Sequence, residues 1–157
     1  MVPGQEKKMN NSEDTIIIGC DHAGYPLKKK VKSYLQNKGF NVEDAGTNGL
    51  ESVNYTDFGK KVASSVSKGQ HKRGILICGT GLGMSILANR YNNVRAALCS
   101  EGFSAEMSRR HNDSNILVLG GRVIGESLGV DLVKIWVETP FDGGRHKERI
   151  DQFENLI

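Results

Sequence analysis

The sequence lacks any apolar run that approaches the roughly 20 residues of a membrane-spanning helix, and its N-terminus lacks the apolar core of a secretory signal. Neither charge sign is in large excess, since 21 basic and 18 acidic residues leave a net charge of +3. Aromatic side chains that could stack on bases are few, with five Phe, four Tyr and one Trp. These absences predict a protein whose partners include neither a membrane nor a nucleic acid.

Cysteine is also scarce, and its pattern excludes a disulfide framework. The three cysteines, Cys20, Cys78 and Cys99, are an odd number and contain no CxxC spacing. Such a pattern is typical of a reducing compartment. We therefore expect the protein to reside in the cytoplasm.

The length of 157 residues suits one domain with one core. Residues 1–14 are polar and aperiodic and are predicted to form a flexible leader, so the domain is expected over residues 15–157. Short apolar segments that favour β-structure recur along this region. Five strands are predicted: Thr15–Cys20, Phe40–Asp44, Gly74–Cys78, Val94–Cys99 and Ile116–Leu119.

Segments with helical periodicity alternate with these strands. The first helix opens at Pro26 and closes at Gly39, and a shorter one is capped by Ser100–Glu101 and ends near His111. A solvated face is predicted for four lysines of the first helix: Lys28, Lys29, Lys30 and Lys32. The apolar side of the last helix is predicted to contain Ile150, Phe153 and Leu156. The alternation predicts an α/β fold, a three-layer αβα Rossmann-like domain with a five-stranded parallel sheet.

The stretch Gly74–Gly83 is the most informative part of the sequence. Its apolar run, predicted as a central buried strand, ends in Cys78. In the glycine-rich turn that follows, successive backbone N–H groups can point towards one anion without Cβ atoms in the way. The residues of this turn are Gly79, Thr80, Gly81, Leu82 and Gly83. A helix predicted from Met84 adds the potential of its N-terminus, which favours a thiolate at Cys78.

Two nucleotide-binding motifs resemble this stretch, and both are excluded. A GxGxxG motif that began at Gly79 would need glycine where Met84 stands, and no Gly-Lys-Ser/Thr follows as a phosphate loop requires. The alternative interpretation of Cys78 is a small buried apolar residue at the end of a strand. The adjoining glycine turn favours a functional role instead.

Polar or reactive residues follow four of the predicted strands. Because the carboxyl ends of parallel strands share one edge of the sheet, we expect these residues to meet at a ligand site. Asp21 and His22 could alternatively serve the turn itself, and His111, just before the fifth strand, is a candidate acid or base near neutral pH. The four segments are Cys20-Asp21-His22, Cys78-Gly79-Thr80, Cys99-Ser100-Glu101 and Gly120-Gly121-Arg122.

A second anion site is predicted near the C-terminus. Arg145 and Arg149 follow a pair of glycines and lie four residues apart, on one face of the first turns of the last helix. Cations there oppose the helix dipole, which is reasonable if a phosphate binds between the guanidinium groups and the free N–H groups. The alternative is that both arginines are solvated, or paired with Glu148 or Asp151.

Taken together, five segments resemble the type B ribose-5-phosphate isomerases, whose broader group includes galactose-6-phosphate isomerase subunits and allose-6-phosphate isomerases. The likeness spans about Thr15 to Arg149. It departs from the family at Tyr55-Thr56-Asp57, where Tyr-Pro is expected before the helix. The segments are Gly19-Cys20-Asp21-His22, Ile77-Cys78-Gly79-Thr80-Gly81, Cys99-Ser100-Glu101, His111-Asn112-Asp113 and Gly143-Gly144-Arg145-His146.

The resemblance implies interconversion of ribose 5-phosphate and ribulose 5-phosphate through a cis-enediolate, without a metal or another cofactor, in the non-oxidative pentose phosphate pathway. In the family a cysteine at the position of Cys78 is the base that moves a proton between C2 and C1. One branch instead uses a glutamate at the position of Met84. The chain has the cysteine and lacks the glutamate, so it resembles the cysteine branch.

The resemblance also implies roles for other residues. His111 would assist opening of the furanose ring, Asp21 would move protons between sugar oxygens, and Asn112 would hold a hydroxyl, although which of Asp21 and His111 opens the ring stays open. Family members are dimers or dimers of dimers with active sites between subunits, which implies a homodimer or homotetramer here. The subunit that supplies each residue stays open. The phosphate would be bound by Arg145 and Arg149, helped by Arg122 and His22.

Three alternative functions remain at this point. The substrate could be a six-carbon sugar phosphate such as allose or galactose 6-phosphate, since pocket length is not visible in the sequence. The chain could be a non-catalytic sugar-phosphate binding domain in which Cys78 is only a packed thiol. A metal site is a third possibility, although no pair of its candidate ligands has the spacing of a structural zinc site. Those ligands are Cys20, Cys78, Cys99, His22 and His111.

Overall fold

The computed structural model describes residues 14–154 and residue 156. Its five strands are β1 (Ile16–Cys20), β2 (Val42–Asp44), β3 (Arg73–Cys78), β4 (Ala96–Leu98) and β5 (Ile116–Gly120). They pair in parallel in the order β2–β1–β3–β5–β4, with β3 at the centre. The predicted αβα fold with a five-stranded parallel sheet is confirmed. Apart from Asp14, the predicted leader lies outside the described residues.

Helices connect the strands and follow the last one. The cap predicted for the fourth helix is present, because the Glu101 carboxylate accepts hydrogen bonds from the backbone N–H groups of Phe103 at 2.7 Å and Ser104 at 2.8 Å. No helix in the described part of the chain is long and apolar enough to cross a lipid bilayer. The helices are α1 (Tyr25–Asn37), α2 (Tyr55–Ser67), α3 (Leu82–Ala88), α4 (Gly102–Arg110), α5 (Glu126–Glu138) and α6 (Arg145–Glu154).

The two faces of the sheet bury separate cores. Ile75 and Leu117 pack in the core that contains residues of α1 and α5, whereas Leu76 and Val118 pack in the core that contains residues of α2 and α3. Both faces of β1 and β5 are buried, which explains why their sequences are apolar or glycine at almost every position. Trp136 of α5 is fully buried, and its side chain fills the first of these cores.

The prediction for the apolar side of the last helix was only partly right. Ile150 is buried, but Phe153 is 43% exposed and Leu156 is 77% exposed. α6 contacts the rest of the protein through the buried side chain of Ile150 and through an ion pair between Glu154 and Arg95. Phe153 is thus left partly exposed and Leu156 largely exposed.

The prediction of a solvated lysine face was wrong for Lys28, which is 1% exposed. Lys28 lies one turn before Val31 and shares its inward face of α1. The ammonium group donates three hydrogen bonds, to Asp44 Oδ1 at 3.1 Å, the Thr47 carbonyl at 2.6 Å and Asn48 Oδ1 at 3.1 Å. The charge is tolerated in the interior because all its donors are used.

Asp44, at the end of β2, is the counter-ion of this ammonium group. Burial opposes ionisation of the carboxyl, but hydrogen bonds from Lys28, from the backbone N–H of Gly46 and from Lys32 outweigh burial and hold the pKa of Asp44 below its ordinary value. Asp44 is therefore ionised at neutral pH and balances the charge of Lys28.

We predict that Asp44→Asn lowers the free energy of unfolding near neutral pH by about 3 kcal/mol, because Lys28 loses its counter-ion in the interior. A carboxylate whose folded-state pKa is depressed stabilises the fold above its unfolded-state pKa of about 3.9, and this contribution is lost as the pH falls through the folded-state value. The free energies of unfolding of wild type and Asp44→Asn, measured by urea unfolding with Trp136 fluorescence, should therefore differ less in acid than at neutral pH.

The exposed carboxylate of Asp131 on α5 offers a matched control. Asp131→Asn should change the free energy of unfolding by no more than about 0.5 kcal/mol. A difference between Asp44→Asn and wild type that stayed constant into acid would contradict the ion pair.

Candidate active site

Cys78 ends β3 at the carboxyl edge of the sheet and is 5% exposed. The turn that follows bends back onto the thiol, because the backbone N–H of Gly81 donates a hydrogen bond to Cys78 Sγ at 3.2 Å. Gly81 has a φ of +80°, which side-chain-bearing residues rarely adopt. Thr80 Oγ1 accepts a hydrogen bond from the N–H of Leu82, the first residue of α3, at 3.2 Å. The turn thus directs a backbone hydrogen-bond donor at the sulfur.

The other two cysteines are unsuited to act as bases. Burial raises the pKa of Cys20 to about 11 and that of Cys99 to about 11. Both are therefore thiols at neutral pH, and only thiolates are effective nucleophiles or bases. Among the three free cysteines, the geometry singles out Cys78.

Three loops at this edge pack backbone against backbone, and glycines make the approach possible. A methyl group at Gly120 would lie 2.6 Å from the Thr80 carbonyl oxygen, and one at Gly121 would lie 2.8 Å from the Ala23 carbonyl oxygen. In addition, the N–H of Gly121 donates to the Cys78 carbonyl at 2.8 Å. The loops after β1, β3 and β5 are thereby held together around the thiol.

Asp21 and His22 follow β1 in the first of these loops. Asp21 is buried, and its Oδ1 accepts hydrogen bonds from the N–H groups of Ala23 at 3.0 Å and Gly24 at 3.1 Å, so the carboxylate does serve the turn. His22 Nδ1 accepts a hydrogen bond from the N–H of Val53 at 3.2 Å. In the neutral ring the proton must then be on Nε2, which leaves that nitrogen as a donor.

Arg122 completes the set of predicted residues at this edge. Its N–H donates to the Gly79 carbonyl at 2.9 Å, and its Cδ lies 3.5 Å from where a methyl group on Gly79 would be. Sequence reasoning did not identify Tyr55 as a neighbour of the turn. A methyl group at Gly83 would lie 2.6 Å from the ring of Tyr55. The available signal was an aromatic residue at the start of α2. We call Asp21, His22, Cys78, Gly79–Gly83 and Arg122 the carboxyl-edge group.

His111 and Asn112 lie at the opposite edge of the sheet. α4 leaves the carboxyl end of β4 and returns the chain to the amino end of β5, and the N–H of Asn115 donates to the carbonyl of Arg95 just before β4 at 3.0 Å. The His111 and His146 rings stack with centroids 4.2 Å apart, which brings the start of α6 to the same edge. These residues therefore lie at the edge opposite to Cys78, a placement on which the sequence analysis made no prediction. We call His111, Asn112, Arg145 and Arg149 the amino-edge group.

Arginines fix the backbone of the amino-edge group. Asp113, in the left-handed region with φ +44°, accepts a hydrogen bond on Oδ1 from Arg109 at 2.9 Å and one on its carbonyl from Arg95 at 2.9 Å. The N–H of Asp142 donates to the Arg110 carbonyl at 3.0 Å, and the two side chains form an ion pair at 3.2 Å. These bonds join the end of α4 to the start of α6.

The electrostatics of this group suit an anion. Partial removal from water, followed by the charges of His111, Arg145 and Arg149, lowers the pKa of His146. His111, Asp142 and His146 are the one group within the described residues whose ligand atoms, all within 4.8 Å of one another, could hold a metal ion. That group shares only His111 with the zinc site considered from the sequence. The nearby guanidinium groups oppose a second cation there.

The family model for Ribose/Galactose Isomerase matches residues 16–153. The chain belongs to this family. The resemblance drawn from the sequence motifs is thereby confirmed. Ribose-5-phosphate isomerase B of Escherichia coli strain K12 is 43% identical over 136 residues, which cover 87% of this chain and 91% of that protein.

Solved structures of family members have the same fold. Ribose-5-phosphate isomerase B of Clostridium thermocellum is 50% identical, with a TM-score of 0.88 over 90% of this chain and 96% of that one. The Mycoplasma genitalium enzyme with bound ribulose-5-phosphate is 38% identical, with a TM-score of 0.86 over 89% of this chain and 93% of that one.

We predict that Gly120→Ala lowers the free energy of unfolding by about 2 kcal/mol, because the new methyl group would press on the Thr80 carbonyl. Gly125→Ala, at the end of the loop that follows β5, is the matched control, since a methyl group there meets no atom within 4 Å. Urea unfolding of both variants gives the comparison. Equal stability of the two variants would contradict the close packing of the loops.

Proposed function

We propose that this family member is an aldose–ketose isomerase that interconverts ribose 5-phosphate and ribulose 5-phosphate. The observation that carries the proposal is the N–H of Gly81 directed at Cys78 Sγ at 3.2 Å, within a chain 43% identical to a ribose-5-phosphate isomerase B. Its three free cysteines also favour the cytoplasm as its compartment. No cofactor enters the proposed reaction.

In the proposed mechanism, Cys78 as the thiolate removes the proton from C2 of the open-chain sugar and returns it to C1. The intermediate is a cis-enediolate, whose negative oxygen would be stabilised by backbone N–H groups of Gly79–Gly83. Thr80 would orient a hydroxyl of the sugar. Asp21, with one oxygen held by the turn, would carry a proton between O1 and O2.

The amino-edge group would supply ring opening and most of the phosphate binding. His111 would transfer a proton during opening of the furanose, and Asn112 would hold a sugar hydroxyl. Guanidinium groups match the geometry of a phosphate, so Arg145 and Arg149 are its proposed ligands. Two residues of the carboxyl edge would assist them: Arg122 and His22.

The separation of the two groups supports an active site built between two copies of the chain. The strands between the edges are five to six residues long, about 15–20 Å, so one sugar phosphate cannot reach both groups of one chain. Leu82 and Ile86 of α3, next to the glycine turn, are 57% and 65% exposed. Exposed apolar side chains beside an incomplete site suit a homodimer, or a homotetramer made of such dimers.

The function is tested by mixing the purified protein with ribose 5-phosphate in EDTA and following the appearance of ribulose 5-phosphate. Allose 6-phosphate and galactose 6-phosphate, assayed in parallel, decide between five-carbon and six-carbon substrates. Binding of these sugar phosphates without turnover would support the non-catalytic alternative. Activity that chelation removes, and added metal restores, would support the metal alternative.

We predict that Cys78→Ser lowers kcat by at least about a thousandfold while the Kd for ribose 5-phosphate changes little, because the thiolate acts in proton transfer and not in binding. Cys99→Ser is the matched control and should retain turnover. Steady-state kinetics and calorimetric titration give the two quantities. A Cys78→Ser variant with wild-type kcat would contradict the assigned base.

We also predict that two inactive variants complement each other. Cys78→Ser and His111→Asn change opposite edges, so a mixed dimer would contain one site with both changes and one intact site. After the two proteins are denatured and refolded together, about a quarter of wild-type activity should return. Confirmed mixed oligomers without activity would mean that both groups of one site come from the same chain.

A further inference from the structure

Lys28 is buried in α1 and takes no part in the proposed chemistry. Burying an ammonium group is unfavourable, and a buried ion pair contributes little stability compared with apolar packing of the same volume. Lys28 nevertheless donates to three acceptors with good geometry. Fold stability alone therefore does not account for a charge at this position.

Two of the three acceptors lie in the segment 45–54, which connects β2 to α2. They are the Thr47 carbonyl at 2.6 Å and Asn48 Oδ1 at 3.1 Å. The N–H of Thr47 also donates to the carbonyl of Cys20, the last residue of β1, at 3.1 Å. Lys28 thus fixes the first half of the segment next to the loop that carries Asp21 and His22.

The other end of the segment reaches the carboxyl-edge group. The N–H of Val53 donates to His22 Nδ1 at 3.2 Å. This bond sets the orientation of the imidazole and its tautomer, with Nε2 left as the donor. The position of Val53, and with it the His22 ring, depends on how the preceding residues of the segment are held.

We propose that Lys28 is a positioning residue, whose buried ammonium group holds segment 45–54 so that the N–H of Val53 orients His22 towards the phosphate of the substrate. The proposal rests on the role of His22 in the proposed function. Lys28 acts through the segment and does not itself touch the substrate.

The test replaces Lys28 with an uncharged side chain of similar length. Lys28→Met should raise the KM for ribose 5-phosphate about tenfold and change kcat less than about twofold, because a ligand of the phosphate is misplaced while the base is untouched. Hydrogen exchange of the backbone amides in residues 45–54 should become faster. A purely structural role would instead lower the unfolding midpoint without changing KM.

Lys32→Met is the matched control. Lys32 also bonds to Asp44, at 3.2 Å, but the only partner it has in the described network is that carboxylate. This variant should keep the wild-type KM and the wild-type exchange in residues 45–54. If it reproduced the effects of Lys28→Met, the bonds from Lys28 to the segment would not be their cause, and the proposal would fail.

Two further variants make the outcome decisive. In a His22→Asn background, Lys28→Met should raise KM no further, since both changes act on one ligand. Asn48→Ala removes one of the three acceptors at an exposed position, and should raise KM about threefold and speed exchange in the segment. If Lys28→Met does not fold, Asn48→Ala serves as the test of the proposal. A folded variant of either kind that kept the wild-type KM and the wild-type hydrogen exchange in residues 45–54 would overturn the proposal.

The exchange measurement separates this proposal from the proposed function. If the wild-type protein isomerised no sugar phosphate, the proposed function would fail. Faster exchange in residues 45–54 of Lys28→Met, together with a shifted His22 Cε1 proton resonance, would still establish that Lys28 positions the ring. Unchanged exchange and an unshifted resonance would refute it whatever the activity.

Discussion

The close approach of three backbone loops at the carboxyl edge of the sheet is the constraint on which the candidate site depends. Carbonyl oxygens of Ala23 and Thr80 occupy the space that side chains on Gly121 and Gly120 would fill. Because these loops continue strands that are almost entirely buried, their contact fixes Cys78 relative to the turn that approaches its sulfur. A site assembled in this way has its donors in place before any substrate arrives, which is the condition for electrostatic stabilisation of a developing charge.

At the amino edge of the sheet, the backbone is held by charged side chains and not by close packing of backbone against backbone. Arg95 and Arg109 hold a strained left-handed residue, Asp113, and Arg110 ties the start of α6 to the end of α4. The result is a concentration of positive charge at a helix N-terminus, where cations are unfavourable. A bound anion would relieve such an arrangement. In the proposed function the carboxyl edge would therefore carry the proton transfer, and the amino edge would carry ring opening and most of the phosphate binding.

Much of this was visible in the sequence, because the signals were local. Unbroken apolar runs predicted the buried strands. The glycine turn after Cys78 was predicted to direct backbone N–H groups towards one anion, and in the structure the N–H of Gly81 donates a hydrogen bond to the sulfur. The edge of the sheet at which His111 lies was not predicted from the sequence. The order of the elements indicates it, because a residue just before a parallel strand lies at the amino edge, whereas residues that follow a strand lie at the carboxyl edge. The burial of Lys28 could not be predicted, since its acceptors Thr47 and Asn48 are distant along the chain and periodicity assigns charged residues to solvent.

The anchoring of segment 45–54 has a thermodynamic consequence. Holding a backbone residue in one conformation costs about 1–2 kcal/mol in entropy, and a flexible connection would incur that cost each time a ligand ordered it. Here Lys28 and the carbonyl of Cys20 order the first half of the segment as the chain folds. The entropy of ordering these residues is therefore lost when the chain folds, and it does not reduce the free energy of substrate binding.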